Sequence, residues 1–166
     1  MAKDAIVLLK EDHNEMRKLF AQFKKAGENA EAAKNRFAKA IIESLTVHTY
    51  LENECMYPEV RTLLPEVEDD VLESYEEHHV ADLLVLELFA MNASHERFVP
   101  KMTVLIENVE HHMEEEEQDW FPKVRAGLSR KKLGELGDRM VEMRKTAPKS
   151  PLSPKAMKKV LDAATA

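Results

Sequence analysis

Two segments of the sequence each carry a histidine followed by a glutamate one helical turn later. On an α-helix, residues four apart lie on the same face, so a histidine and a glutamate at this spacing can aim at one point. The two segments, HTYLENECMYP and HMEEEEQDWFP, also share an aromatic residue followed by proline. The matched residues, each displaced by 64 positions, are His48, Glu52, Tyr57 and Pro58 in the first segment and His112, Glu116, Phe121 and Pro122 in the second.

A second pair of histidines repeats with almost the same displacement. His13 in KEDHNEMRKLF and His78 in EEHHVADLLVL are 65 positions apart. The repeat predicts two helical hairpins related by a pseudo-twofold axis, each contributing a matched set of polar residues.

Each of the four histidines lies in a stripe of apolar residues at helical spacing. A polar side chain in an apolar core is costly without a partner, and a pair of metal ions would satisfy all four together. Carboxylate oxygens with neutral imidazoles suit iron or manganese, and carboxylates from two helices can bridge two ions. Zinc fits less well, because the chain has a single cysteine, Cys55, and no HExxH motif. Only Glu76 with His79 has the Glu-x-x-His spacing of ferritin-like di-iron sites, so that type of site is disfavoured.

The elements that would position these residues are long helices. Four glycines in 166 residues, with abundant Ala, Leu, Glu, Lys and Met, leave little room for hairpin turns and predict an all-α protein. Capping residues and prolines predict helices at 4–27, 29–58, 66–92, from 95 or 100 to 122, 129–144 and 155–163. We therefore predict an antiparallel up-down-up-down four-helix bundle over residues 1–127. Short C-terminal helices over residues 128–166 would pack on it as an appendage.

The charge and the hydropathy of the sequence argue against two classes of partner, nucleic acids and membranes. With 31 acidic and 24 basic residues the formal charge is −7, the opposite of a nucleic-acid-binding footprint. No apolar run approaches the roughly 20 residues of a membrane span, and an unpaired cysteine fits a reducing compartment. We therefore expect a cytoplasmic protein that binds neither nucleic acid nor membranes, while the residues favour no particular oligomeric state.

The combined motifs resemble those of the hemerythrin-like HHE cation-binding domain, a four-helix bundle family. The resemblance covers residues 5–124 and rests on DHNEMRKLF, HTYLENECMYP, EEHHVADLL and VEHHMEEEEQDWFPK, in the family's order. It implies two iron ions joined by an oxo or hydroxo bridge, with manganese or zinc less favoured. The ligands that the resemblance implies are His13, His48, His78 and His112, with Glu52 and Glu116 bridging the two ions.

One position departs from the family pattern. Oxygen-carrying hemerythrins have a further histidine one turn after the third-helix histidine, and this sequence has Asp82 there. The residues that could complete or support the site are Asp82, Tyr75, His79 and Glu117, the last also as an alternative bridge next to Glu116. An additional oxygen ligand or an open position works against reversible O2 carriage and favours reaction with peroxide, O2 or NO.

Two functions are compatible with such a site. The one we favour is a non-haem di-iron protein that binds and reacts with O2 or peroxide, including catalase-like detoxification of hydrogen peroxide. The alternative is a module that senses or binds O2, NO or iron without turnover, with the C-terminal helices reporting the state of the site. Turnover by the isolated protein is the property that separates them.

Overall fold

The structure, a computed structural model, describes residues 3–165. Within that range it contains helices and loops and no β-strand, which confirms the all-α prediction. The helices are α1 (Ala5–Lys25), α2 (Glu31–Leu51), α3 (Tyr57–Leu63), α4 (Glu68–Phe89), α5 (Phe98–Glu115), α6 (Phe121–Gly127), α7 (Arg130–Arg144) and α8 (Pro154–Thr165). A π-helical turn, Glu52–Met56, joins α2 to α3, and another, Glu116–Trp120, joins α5 to α6. A short 3₁₀ segment, Pro65–Val67, leads into α4.

Four long helices form the predicted bundle. α1 packs against α2 and α5, and α4 packs against the same two helices. The four helices therefore close into a ring in the order α1, α2, α4, α5. Every helix has two neighbours in this ring, so polar residues inside the ring can contact side chains from the adjacent helices.

The starts of α1 and α7 follow from local sequence. The side chain of Asp4 accepts a hydrogen bond from the Val7 backbone N–H at 2.9 Å, and Ser129 does the same for Lys132 at 3.2 Å. Both residues are of types preferred at N-caps, and the predicted helix starts at 4 and 129 agree with these positions. Gly27, predicted as the C-terminal stop of α1, directly follows the C-cap Ala26, and the helix itself ends at Lys25.

Pro58 and Pro122 were expected to end two helices, and this expectation is wrong. The helical path continues through both prolines, to Leu63 and to Gly127. Each proline lies in the first turn after a π-helical turn, where a missing N–H costs little. The wider π-turn places hydrogen bonds between residues five apart, so the proline ring does not meet a regular α-helical ladder.

The apolar core consists of two clusters that lie on either side of a polar layer. One cluster includes Leu9, Leu51, Val71 and Trp120, and the other includes Met16, Leu45, Ala81 and Val109. His13 lies between Leu9 and Met16 along α1, and the other three histidines are flanked in the same way. The polar residues of the bundle are thus sealed above and below by buried hydrocarbon.

The two C-terminal helices cover different sides of the bundle. α7 packs against α1 and α2, whereas α8 packs against α4 and α2. At Gly137, α7 passes so close to the start of α1 that an added Cβ would lie 2.1 Å from the Lys3 carbonyl oxygen. Among the described residues, none of the helices combines the length and the apolar character needed to cross a bilayer.

Candidate metal centre

Six side chains that the sequence singled out converge in the polar layer of the bundle. They are His13, His48, His78, His112, Glu52 and Glu116. Each imidazole directs its Nε2 atom at a carboxylate: His13 to Glu116 at 3.2 Å, His48 to Glu52 at 3.1 Å, His78 to Glu52 at 3.3 Å and His112 to Glu116 at 3.5 Å. Each glutamate therefore contacts one histidine from each side of the site, which is the arrangement a bridging carboxylate requires.

The side chains form two groups with ligand geometry. The first group contains His13, His48, Glu52 and Glu116, and the second contains Glu52, His78 and His112. In the first group four buried atoms make no hydrogen bond: Nε2 of His13, Nε2 of His48, Oε1 of Glu52 and Oε2 of Glu116. Buried polar atoms are rarely left unsatisfied. Nitrogen and oxygen donors that face one another without partners fit a bound cation.

The outer nitrogen of every imidazole is held by a second polar side chain. The Nδ1–H groups donate from His13 to Glu117 at 2.7 Å, from His48 to Asp12 at 3.5 Å, from His78 to Asn53 at 2.6 Å and from His112 to Glu77 at 2.6 Å. Metal-ligating histidines characteristically donate their other N–H to a carboxylate or carbonyl, which fixes the ring and its tautomer. The contacts therefore leave Nε2 of all four rings facing inward.

These supporting side chains form a closed cycle around the ring of helices. Each one lies beside a residue of the site on one helix and supports the histidine of the next helix. Asp12 precedes His13 on α1 but holds His48 of α2, and Glu77 precedes His78 on α4 but holds His112 of α5. Asn53 and Glu117, in the two π-turns, hold the histidines of α4 and α1.

Sequence reasoning missed three of the four supporting residues, Asp12, Asn53 and Glu77. The duplication carried the signal that could have found them. Asp12 and Glu77 are 65 positions apart, and Asn53 and Glu117 are 64 apart, the displacements seen for the histidines and glutamates themselves. A polar pair that repeats in register with the site residues is therefore a candidate for a supporting role.

Tyr57 is a further site residue that sequence reasoning did not assign. Its buried hydroxyl donates to Oε1 of Glu116 at 2.9 Å and lies 3.2 Å from Nε2 of His78 and 3.5 Å from Nε2 of His112. The π-turn explains its position, because the Tyr57 backbone N–H bonds to the Glu52 carbonyl, five residues earlier. The phenol therefore adds an oxygen to the second group.

The four other candidates lie outside both groups. Neither group of imidazoles and carboxylates contains His79, Asp82 or Glu117. Tyr75 donates its hydroxyl to the backbone carbonyl of Asn53 at 3.3 Å, and Asp82 accepts from Lys159 of α8 at 2.9 Å. The side chain of Glu117 lies behind His13, and also accepts from Arg17 at 2.9 Å.

Comparison with known proteins agrees with this geometry. The model of the family described as the hemerythrin HHE cation binding domain matches residues 4–124. The chain belongs to this family. As an HHE domain it is a cation-binding protein, and the resemblance predicted from its motifs is confirmed.

Two further proteins resemble this HHE domain. A hemerythrin HHE cation binding domain-containing protein from Mycobacterium kansasii has the same fold, with a TM-score of 0.73, 20% identity, and coverage of 97% of this chain and 99% of that one. A DNA nickase from Nostoc sp. is 27% identical over 122 residues, which are 74% of this chain and 34% of the nickase. The chain thus spans about a third of that relative, and the expectation of no nucleic-acid partner stays a prediction.

The histidines of this HHE site differ in pKa, and they differ within the second group, where burial lowers the pKa of His112 but the carboxylates of Glu116 and Glu77 outweigh burial and raise it to about 9. Burial lowers the pKa of His48, but the carboxylates of Glu52 and Asp12 outweigh burial and raise the pKa to about 10. Burial instead lowers the pKa of His78 to about 3. Burial raises the pKa of the Tyr57 hydroxyl well above its usual value, and the nearby carboxylates add to that shift. A cation at His48 must therefore displace a proton, whereas His78 is already neutral.

Proposed function

We propose that this HHE domain holds two iron ions between its four long helices and reacts with hydrogen peroxide or O2. The observation that carries the proposal is the position of the two glutamates, each of which contacts a histidine from both sides of the site. Two carboxylates shared in this way support a pair of ions rather than a single one. Imidazole, carboxylate and phenol donors favour iron over zinc, with manganese as the nearest competitor.

The residues proposed to hold the ions divide as the geometry does. His13 and His48 would hold the first ion and His78 and His112 the second, with Glu52 and Glu116 shared between them. The hydroxyl of Tyr57 is the candidate for an added oxygen ligand to the second ion. Bound iron would supply Lewis acidity and a store of electrons.

The protein's own residues prepare the site for such chemistry. The two apolar clusters exclude water, so electrostatic interactions inside the layer are strong. The supporting ring fixes each imidazole before a substrate arrives, and a hydrogen bond to Glu116 positions the Tyr57 hydroxyl, which would lose its proton on binding an ion. These features support a site whose side chains are in place before a small molecule arrives.

Peroxide is the substrate we favour because the site is rich in oxygen donors. Anionic oxygen ligands stabilise ferric iron, which works against holding O2 reversibly on ferrous iron. In the expectation from sequence this oxygen came from Asp82, whereas the geometry favours Tyr57, since Asp82 is paired with Lys159. Disproportionation needs no outside reductant, because one peroxide is reduced to water while another is oxidised to O2.

The test begins with the metal content of protein produced with ample iron. We expect about two iron ions per chain and O2 evolution from hydrogen peroxide above that of free-iron controls, measured with an oxygen electrode. His78→Ala should abolish O2 evolution, while the adjacent His79→Ala, outside both groups, should retain it.

Three results would count against this function. Stable iron content below about one ion per chain, or a tight preference for zinc, would defeat the di-iron site. A protein that holds two irons, evolves no O2 and forms a stable, reversible O2 spectrum when reduced would be a carrier or sensor.

A further inference from the structure

Lys159 of α8 is a buried cation beside the polar layer. Its side chain is 5% exposed, and its ammonium donates to Oδ1 of Asp82 at 2.9 Å and to Oγ1 of Thr49 at 2.5 Å. A lysine is rarely buried unless its charge is paired. The C-terminal helix thus inserts one charge into the seam between α2 and α4.

The partners of Lys159 are neighbours of the site residues. Thr49 directly follows His48, and Asp82 lies one helical turn after His78 on the same face of α4. The charge of Lys159 also helps to lower the pKa of His78, and that of Glu52 acts on Lys159 in turn. Asp82 is therefore a buried carboxylate next to the second group that is engaged by a cation from outside the bundle.

A surface groove meets the site at the same place. The groove has a volume of about 850 Å³, and its wall includes Asn53, Tyr75 and Lys159. Asn53 also accepts the Nδ1–H of His78, so one residue both lines the groove and contacts the second group. A small molecule that approaches through this groove reaches the second group before the first.

We infer that Lys159 holds Asp82 away from the second ion and so preserves a position there for an exogenous small ligand. Without its cation, the buried carboxylate of Asp82 would lose its compensating charge, which is costly. The nearest replacement is the ion held by His78 and His112. Lys159 is then a positioning residue that acts through Asp82, and the inference rests on the metal site proposed above.

The inference can be tested without measuring turnover, by titrating the iron-loaded protein with azide and monitoring binding by optical absorption. Lys159→Met should weaken azide binding about tenfold or more, because Asp82 then occupies the position. Lys159→Arg should stay within about threefold of the unchanged protein. The matched control is Lys158→Met, which changes an exposed lysine of the same helix that pairs with Asp162.

The double variant Lys159→Met with Asp82→Asn distinguishes the explanations. If Asp82 is the competitor, the double variant should recover azide affinity, and it removes both members of the buried pair, which favours folding. Unchanged azide affinity in Lys159→Met would overturn the inference. So would a double variant as weak as Lys159→Met, because the ammonium would then attract the anion directly.

Two controls separate this inference from the di-iron proposal. Far-UV circular dichroism establishes that each variant is folded before titration. If the unchanged protein takes up no iron, the di-iron proposal fails, but the same azide titrations on Co²⁺-loaded protein still test Lys159 through the d–d bands of the bound ion. A lack of peroxide turnover has no bearing on either titration.

Discussion

The half of the centre around His13 and His48 and the half around His78 and His112 repeat each other, but Phe121 in the first stands where Tyr57 stands in the second. Phe121 stacks on His13 with ring centroids 5.9 Å apart, and Tyr57 stacks on His78 at 5.3 Å. The packing is the same and the chemistry differs by one hydroxyl. The duplication accounts for the common frame, and the Tyr57 hydroxyl adds an oxygen to only one of the two groups.

The C-terminal helices extend this inequality. In the first half, Arg144 of α7 donates to Asp12 at 2.6 Å, so its charge reaches the carboxylate behind His48. In the second half, Lys159 of α8 reaches Asp82, a carboxylate that supports none of the four histidines. The added helices therefore pair a supporting carboxylate in one half and a different buried carboxylate, Asp82, in the other.

Removing either shared glutamate should weaken metal binding in both halves at once and should have the largest effect. We expect Glu52→Ala and Glu116→Ala each to lose most of the bound metal while helix content stays largely intact, because the apolar clusters fold without ions. Metal analysis and circular dichroism on the same samples measure this. Glu117→Ala is the matched control and should keep more metal, and the opposite ranking would show that Glu117 is the bridge.

Exchanging the aromatic residues should make the halves alike. Tyr57→Phe removes the hydroxyl near His78 and should retain the metal, lose a visible phenolate-to-iron absorption band, and lower peroxide turnover roughly tenfold or more. Phe121→Tyr should add a hydroxyl beside His13 and raise visible absorption. An unchanged spectrum in Tyr57→Phe would exclude the phenol as a ligand.

Weakening one supporting contact should affect one half more than the other. In the unchanged protein the His112 Nδ1–H donates to the Glu77 carboxylate at 2.6 Å. Glu77→Gln removes the negative charge of this acceptor, so metal affinity should fall about 10- to 100-fold. Asp12→Asn should cost less, because its contact with His48 is longer, at 3.5 Å. Chelator competition measures both, with exposed Glu76→Gln as the control. Equal losses in Glu76→Gln and Glu77→Gln would mean that surface charge, not the contact, sets affinity.

A substitution at the contact between α7 and α1, in the first half, should have the smallest effect, and the effect should be on the stability of the fold. Gly137→Ala places a methyl group against the Lys3 carbonyl and should destabilise the protein by about 1–3 kcal/mol in urea unfolding. Gly134→Ala, on the same helix with open space around it, should be neutral or stabilising by up to about 1 kcal/mol. A Gly137→Ala protein as stable as Gly134→Ala would show that α7 is not held tightly against α1.

The sequence predicted what depends on spacing within one helix. The N-caps Asp4 and Ser129 and the facing of His48 with Glu52 are local properties, and the structure has all of them. The pairing of His112 with Glu116 repeats the pattern. Local periodicity therefore located the polar layer and its six inward residues.

What the sequence did not predict depends on irregular backbone or on contacts between helices. Tyr57 faces the site because a π-turn shifts it, and α-helical spacing places it on a different face from Glu52. The partner of Asp82 is Lys159, 77 positions away, and no periodicity connects the two residues. The supporting cycle pairs each helix with its neighbour, so which histidine each supporting residue holds depends on the order of helices in the ring, although the repeat marks the residues themselves.

The two π-turns also constrain how the gene can change. Each π-turn holds one residue more than the α-helical turn it replaces, so deletion of one codon within residues 53–56 would restore regular spacing. One residue of an α-helix corresponds to a rotation of about 100°. Such a deletion would place the tyrosine four residues after Glu52, on the same face of the helix, whereas insertion of a codon there would rotate Tyr57 and α3 by about that angle. The two five-residue stretches should therefore tolerate the loss of one residue better than the gain of one, whereas the loop between α7 and α8 can tolerate both.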